Sequence, residues 1–175
     1  MKYIGPLLTL ALTGLSLSAA HAQSQYPMAT DYYAELGLSA LEIKDNGPSY
    51  NPSGMRLILG KNLNPNLAVE GIYAFTVSSE NEPSFSAKST HYSIGLKPKA
   101  SLNANTDIFA RLGYARSYIT GSVNGAKSVS DWTYGIGVQT KFTESVYGQL
   151  DYTSYADREG AMARAVGFSV GMRFY

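Results

Sequence analysis

The chain has 175 residues, 14 tyrosines, 17 glycines and no cysteine, with a formal charge of +1 and only 15% charged residues. The lack of cysteine excludes disulfides, thiolate metal centres and cysteine nucleophiles, and the near-zero charge offers no electrostatic footprint for nucleic acid. A mean hydropathy of −0.12 excludes a bundle of membrane helices and leaves one domain whose pattern is carried by tyrosine and glycine rather than by charge.

The first segment reads as an address. Lys2 precedes an uncharged run from Tyr3 to Ala20, centred on Leu7, Leu8, Leu10, Leu12, Leu15 and Leu17, and Ala20-His21-Ala22 closes it before Gln23. That order of charge, apolar run and small residues predicts a Sec signal peptide over residues 1–22, followed by one domain over residues 23–175. Thr9, Thr13, Ser16 and Ser18 dilute the run, which argues against a membrane anchor. Cleavage would remove Lys2 alone among the charged residues, taking the formal charge from +1 to zero.

Beyond the leader, side chains alternate with period two, the mark of strands with one apolar face. The first strand is expected from Asp31 to Ile43, with Tyr32, Ala34, Leu36 and Leu38 on one face and Tyr33, Glu35, Gly37 and Ser39 on the other. A polar loop to Pro52 leads to the second, Ser53 to Lys61, and a tight turn at Asn62 to Asn66 leads to the third, Leu67 to Thr76. A longer segment from Val77 to Lys88 precedes the fourth, where Tyr92, Ile94 and Leu96 oppose His91, Ser93, Gly95 and Lys97. The fifth runs from Thr106 to Tyr118, the loop Ile119 to Ser128 follows, and the sixth runs from Ser130 to Phe142. A short turn at Thr143 to Ser145 leads to the seventh, Val146 to Tyr155, and the segment Ala156 to Arg164 leads to the eighth. In that last strand Phe168, Val170, Met172 and Phe174 continue the apolar phase, while Tyr175 falls in the other.

Eight strands with alternating long and short connections predict an all-β fold, an eight-stranded antiparallel up-and-down transmembrane β-barrel of the outer membrane. The alternative is a soluble barrel with its apolar phase inside. The other phase is mostly Gly, Ser, Ala and Thr, a poor surface for water and a good lining for a narrow lumen. Phe75, Tyr92, Tyr114, Trp132, Tyr134, Tyr152 and Phe168 are expected near the outer rim, and Tyr32, Phe142 and Phe174 near the periplasmic rim, as two aromatic girdles.

Asn64 to Tyr73, Asp107 to Tyr114, Gln149 to Tyr152 and Gly167 to Phe174 together resemble the OmpA/OmpX-type eight-stranded outer-membrane barrels. The resemblance implies an outer-membrane protein in contact with lipid and lipopolysaccharide, monomeric, and delivered by periplasmic chaperones to the barrel-assembly machinery. Phe168, Val170, Met172 and Phe174 would then form its assembly signal. It also places Glu70 and Lys97 at the family's gate glutamate and lysine, whereas Gln149 and Gln139 stand where the family has an arginine and a second glutamate.

Glu35, Arg56, Glu70, Lys97, Arg111, Lys141, Asp151 and Arg173 all fall in the inward phase and are expected to form a luminal charge network that fills the barrel. The pair His91-x-Ser93 resembles the base and nucleophile of lipid A deacylases, but its phase faces the lumen and not the lipid substrate. His91 is the only histidine after the leader, so no metal site is expected, and neither is a cofactor or a catalytic set. Lys44, Arg116 and Arg164 near the outer rim are candidates for lipopolysaccharide phosphates. The outer loops carry Lys44, Tyr50, Phe85, Lys127, Asp157 and Arg158 without a contiguous patch. The expected function is a structural or surface-interaction role without catalysis, ahead of a narrow pore, a lipid A hydrolase and a soluble periplasmic carrier.

Overall fold

The computed structural model describes residues 31–45, 49–78, 88–121, 125–158 and 161–174. The expected signal peptide, Phe85 and Tyr175 lie outside the described residues. Eight long strands follow one another: β1 (Tyr32–Asp45), β2 (Ser53–Asn64), β3 (Leu67–Ser78), β4 (Lys88–Ser101), β5 (Thr106–Gly121), β6 (Gly125–Lys141), β7 (Val146–Arg158) and β8 (Ala161–Phe174). Each pairs antiparallel with its neighbour in the chain, and β1 pairs with β8 from Tyr32↔Phe174 to Asp45↔Ala161, which closes the barrel. Closure gives the first and last strands each other as partners and removes the unpaired edge that a lipid environment would not tolerate. A two-residue strand, Ser49–Tyr50, folds back onto the outer end of β1.

The exposure pattern decides which face meets which medium. Leu38, Ile94, Trp132 and Ile136 are 64%, 67%, 62% and 56% exposed, whereas Arg56 and Lys97 are 1% exposed. A water-soluble barrel would show the reverse, so the apolar face belongs against lipid and the soluble-carrier expectation is set aside. Tyr32, Phe142 and Phe174 stand on the same outward face at the periplasmic end, and Tyr92, Tyr114, Trp132 and Tyr134 stand on it toward the other end.

Side-chain oxygens close the short turns. Asn64 Oδ1 accepts the Asn66 amide at 2.8 Å. Asn103 Oδ1 accepts the Asn105 and Thr106 amides at 2.9 Å each, and Thr143 Oγ1 accepts the Val146 amide at 2.9 Å. Each supplies locally the acceptor that a reversing chain lacks.

The outer ends depart from the expected boundaries. The segments Ile119 to Ser128 and Ala156 to Arg164 are largely strand, with β5 and β6 paired up to Gly121↔Gly125 and β7 and β8 up to Arg158↔Ala161. β6 meets β7 only from Tyr134↔Ser154 to Lys141↔Tyr147, so Gly125 to Thr133 has no strand partner on its β7 side among the described residues. A bulge between Ser154 and Ala156 turns both Tyr155 and Ala156 into the barrel, where they are 2% and 1% exposed.

Luminal glycines make room for long side chains. A Cβ on Gly167 would stand 2.5 Å from the Arg56 guanidinium, and one on Gly137 would stand 2.5 Å from the Phe109 ring and 2.6 Å from Asp151 Cβ. The small-residue phase is therefore the complement of the large charged residues that cross the lumen.

Candidate functional site

Every strand sends at least one inward side chain into a single polar network. Glu35 comes from β1, Arg56 from β2, Glu70 from β3, Lys97 from β4, Arg111 from β5, Gln139 from β6, Asp151 from β7 and Ser169 from β8. All eight are at most 5% exposed. The six ionisable members are three carboxylates and three cations, so the charge cancels inside the barrel.

The carboxylates are saturated. Glu35 Oε1 accepts from Tyr147 OH at 2.8 Å and from Lys97 Nζ at 3.3 Å, while its Oε2 accepts from Gln149 Nε2. Glu70 Oε1 accepts from Tyr33 OH at 2.8 Å and lies 3.1 Å from Lys97 Nζ. Its Oε2 accepts from Arg111 Nε at 2.6 Å. Asp151 accepts from both Arg56 terminal nitrogens in a two-pronged pair and from Thr153 Oγ1 at 2.9 Å, with Arg111 NH1 3.2 Å away. Arg56 Nε donates to Ser169 Oγ at 2.9 Å. Arg111 reaches all three acids and so joins the Glu35–Lys97–Glu70 group to the Arg56–Asp151 pair.

Lys97 is the most crowded cation. Besides the two glutamates it donates to Gln139 Oε1 at 3.3 Å and Gln149 Oε1 at 3.0 Å, and its ammonium lies 4.4 Å from the Phe109 ring centre. A charge buried with this many partners is held in one position, because each contact offsets part of a desolvation cost that none would meet alone.

Of the eight charges expected in the lumen, six meet and two do not. Arg173 stands at the periplasmic end, 4.0 Å from Asp31 and over the Tyr147 ring. Lys141 is partly exposed at the last β6–β7 pair and makes no ion pair among the described residues. Both share the inward phase but sit at strand ends, where the phase leads to the mouth and not to the middle. The neutral members Tyr33, Tyr147, Thr153 and Ser169 escape a search for charge, although Tyr33 and its neighbours in the inward phase were the available signal.

His91 lies higher in the lumen, 5% exposed, with Nδ1 2.8 Å from Ser117 Oγ and its ring 4.2 Å from the Tyr155 ring. Its hydroxyl partner is thus on β5, and Ser93 Oγ has no hydrogen-bond partner. No carboxylate bonds His91 among the described residues, so the His-x-Ser pair is not assembled as a base and nucleophile.

At the outer rim, Lys44 is paired with Glu42 at 2.9 Å and Arg164 with Asp157 at 3.1 Å. Arg116 differs. Its Nε donates to Ser128 Oγ at 3.2 Å and its guanidinium lies 5.3 Å from the Tyr118 ring centre, with no carboxylate partner among the described residues.

Residues 7–174 match the family model described as the outer membrane protein beta-barrel domain. No curated protein matches the chain. Among solved structures, Ail, the attachment invasion locus protein of Yersinia pestis, is 20% identical with a TM-score of 0.64, over 84% of this chain and 100% of that one. Neisserial surface protein A is 14% identical with a TM-score of 0.63, over 82% and 97% of the two chains. The N-terminal β-barrel domain of Pseudomonas aeruginosa OprF is 16% identical with a TM-score of 0.58, over 80% and 97%. At these identities the likeness establishes the fold.

Proposed function

The chain belongs to the outer membrane protein beta-barrel domain family, and on that premise we propose that it is a monomeric, non-catalytic barrel with a closed lumen and a structural and surface-interaction role. The luminal network carries this reading. Six mutually paired charges drawn from six strands span the interior, and opening a path through them would strand at least one buried charge, at a cost of about 3–5 kcal/mol.

The surface role is supported by the β5–β6 hairpin, where the outer part of β6 is paired with β5 on one side and has no strand pairing to β7 along Gly125 to Ser130 on the other. Contact with the β7 backbone resumes where Asp131 accepts the Asp157 amide and Thr133 Oγ1 donates to the Ser154 carbonyl. A free strand edge outside the membrane offers backbone donors and acceptors to an extended partner. A protein of this fold named for attachment and invasion is consistent with such use. Outer-leaflet lipid, including lipopolysaccharide, is the partner proposed for the apolar wall. Periplasmic chaperones and the barrel-assembly machinery are the partners proposed for biogenesis, the latter through Phe168, Val170, Met172 and Phe174.

A narrow pore is the second reading, favoured by Lys97, which already stands between two carboxylates at 3.3 and 3.1 Å. Gln139 and Gln149 give it no further charged partner to exchange for. Single-channel recording tests the two readings against each other. Mass spectrometry of lipid A from cells with and without the protein tests the absence of catalysis, for which unchanged acylation is expected.

A further inference from the structure

A groove of about 500 Å³ lies on the outer, lipid-facing wall between β4 and β5, lined by Thr90, Tyr92, Arg116 and Tyr118. The register places Tyr92 opposite Arg116 and Thr90 opposite Tyr118, so the four residues form one contiguous outward patch. Tyr92 and Tyr118 meet edge to face with ring centres 6.3 Å apart and are 50% and 42% exposed.

Three features separate this groove from the rest of the rim. Of the three outer-rim cations Lys44, Arg116 and Arg164, Arg116 has no carboxylate partner among the described residues, whereas Lys44 and Arg164 are each paired with an acid. Its guanidinium is positioned by Ser128 Oγ and the Tyr118 ring, which leaves further N–H donors free to meet a planar or tetrahedral anion. The groove also sits where aromatic rings end the apolar band, the depth of lipid headgroups. A cation fixed there meets phosphate on one side and acyl chain on the other.

We infer that the Thr90–Tyr92–Arg116–Tyr118 groove is a binding site for a phosphorylated glycolipid of the outer leaflet, with Arg116 on its phosphate and the two tyrosines against its sugar and proximal acyl chain. The inference rests on the proposed lipid contact and deepens it by naming the headgroup and the residues.

The test is native mass spectrometry of the detergent-purified barrel with diphosphoryl lipid A, with the same lipid enzymatically dephosphorylated, and with inorganic phosphate as competitor. Arg116→Gln should lower lipid A retention by about fivefold, the worth of one cation at a headgroup surface. The double variant Lys44→Gln/Arg164→Gln should stay within about twofold of wild type, since those cations are already paired. Dephosphorylated lipid should be retained no better by wild type than by Arg116→Gln, and inorganic phosphate should not displace the glycolipid. A gel-mobility check of heated and unheated samples establishes that each variant is folded, and Tyr118→Ala provides an independent lesion of the groove with the charge intact. Equal lipid A retention by wild type and Arg116→Gln overturns the site while leaving the membrane reading standing. A wild-type barrel that retains no lipid A at all overturns the lipopolysaccharide contact itself.

Discussion

Arg56 and Asp151 form a two-pronged ion pair across the barrel, NH1 donating to Oδ2 at 2.7 Å and NH2 to Oδ1, with side chains 1% and 0% exposed. They are 95 residues apart in the chain, on β2 and β7, so the pair ties opposite halves of the wall. Ser169 and Thr153 hold the two ends, and Arg111 leans on the same carboxylate.

Removing one partner should therefore cost far more than removing both. Asp151→Ala leaves Arg56 without its counterion and takes from Arg111 one of its three, for a predicted loss of about 3–5 kcal/mol. Arg56→Leu/Asp151→Leu replaces the pair by apolar volume and should recover most of that loss. Urea unfolding of the barrel in phospholipid vesicles measures both. Equal losses in the single and double variants would show that the pair is not the unit of stability.

The glycines predict a contrast between the two faces of the wall. Gly137→Ala puts a methyl 2.5 Å from the Leu150 carbonyl oxygen and the Phe109 ring, and should cost about 1–3 kcal/mol through overpacking. Gly71→Ala meets nothing closer than 4.0 Å and should stay within about 0.5 kcal/mol of wild type. The same unfolding measurement ranks them, and a larger cost for Gly71 would reverse the assignment of small residues to a filled lumen.

The last strand makes a prediction about assembly. Phe174 is 49% exposed on the outward face and pairs with Tyr32 at the seam where the barrel closes. Phe174→Ala should slow folding into the outer membrane more than deletion of Tyr175, whose sequence phase lies opposite. Pulse-chase appearance of the heat-modifiable folded form reads the ranking, and the opposite order would place the assembly signal one residue later.

Much of this was legible in period-two alternation. Glu35 beside Leu36, or Arg111 beside Leu112, assigns each neighbour to its own medium, and a closed barrel then brings all inward residues of similar height together. What was not legible depends on partner strands. The outer ends of β5 and β6 carry Thr120, Gly121, Gly125 and Ala126, which do not alternate in polarity, and they are strand because each supports the other. The bulge at Tyr155 exists only relative to β8, so the sequence of β7 alone cannot announce it. Lys141 and Arg173 have the right phase but the wrong height, and height follows from register and strand tilt. Tyr33 and Tyr147 complete the carboxylates as neutral donors, invisible to a search by charge.

The closed lumen is the central claim, and single-channel recording in a planar bilayer tests it most directly. The wild-type barrel should insert without conductance steps, while Arg56→Ala/Asp151→Ala, which empties part of the plug without leaving an unpaired partner of that pair, should conduct. Regular ion-selective steps from the wild-type protein would contradict the account.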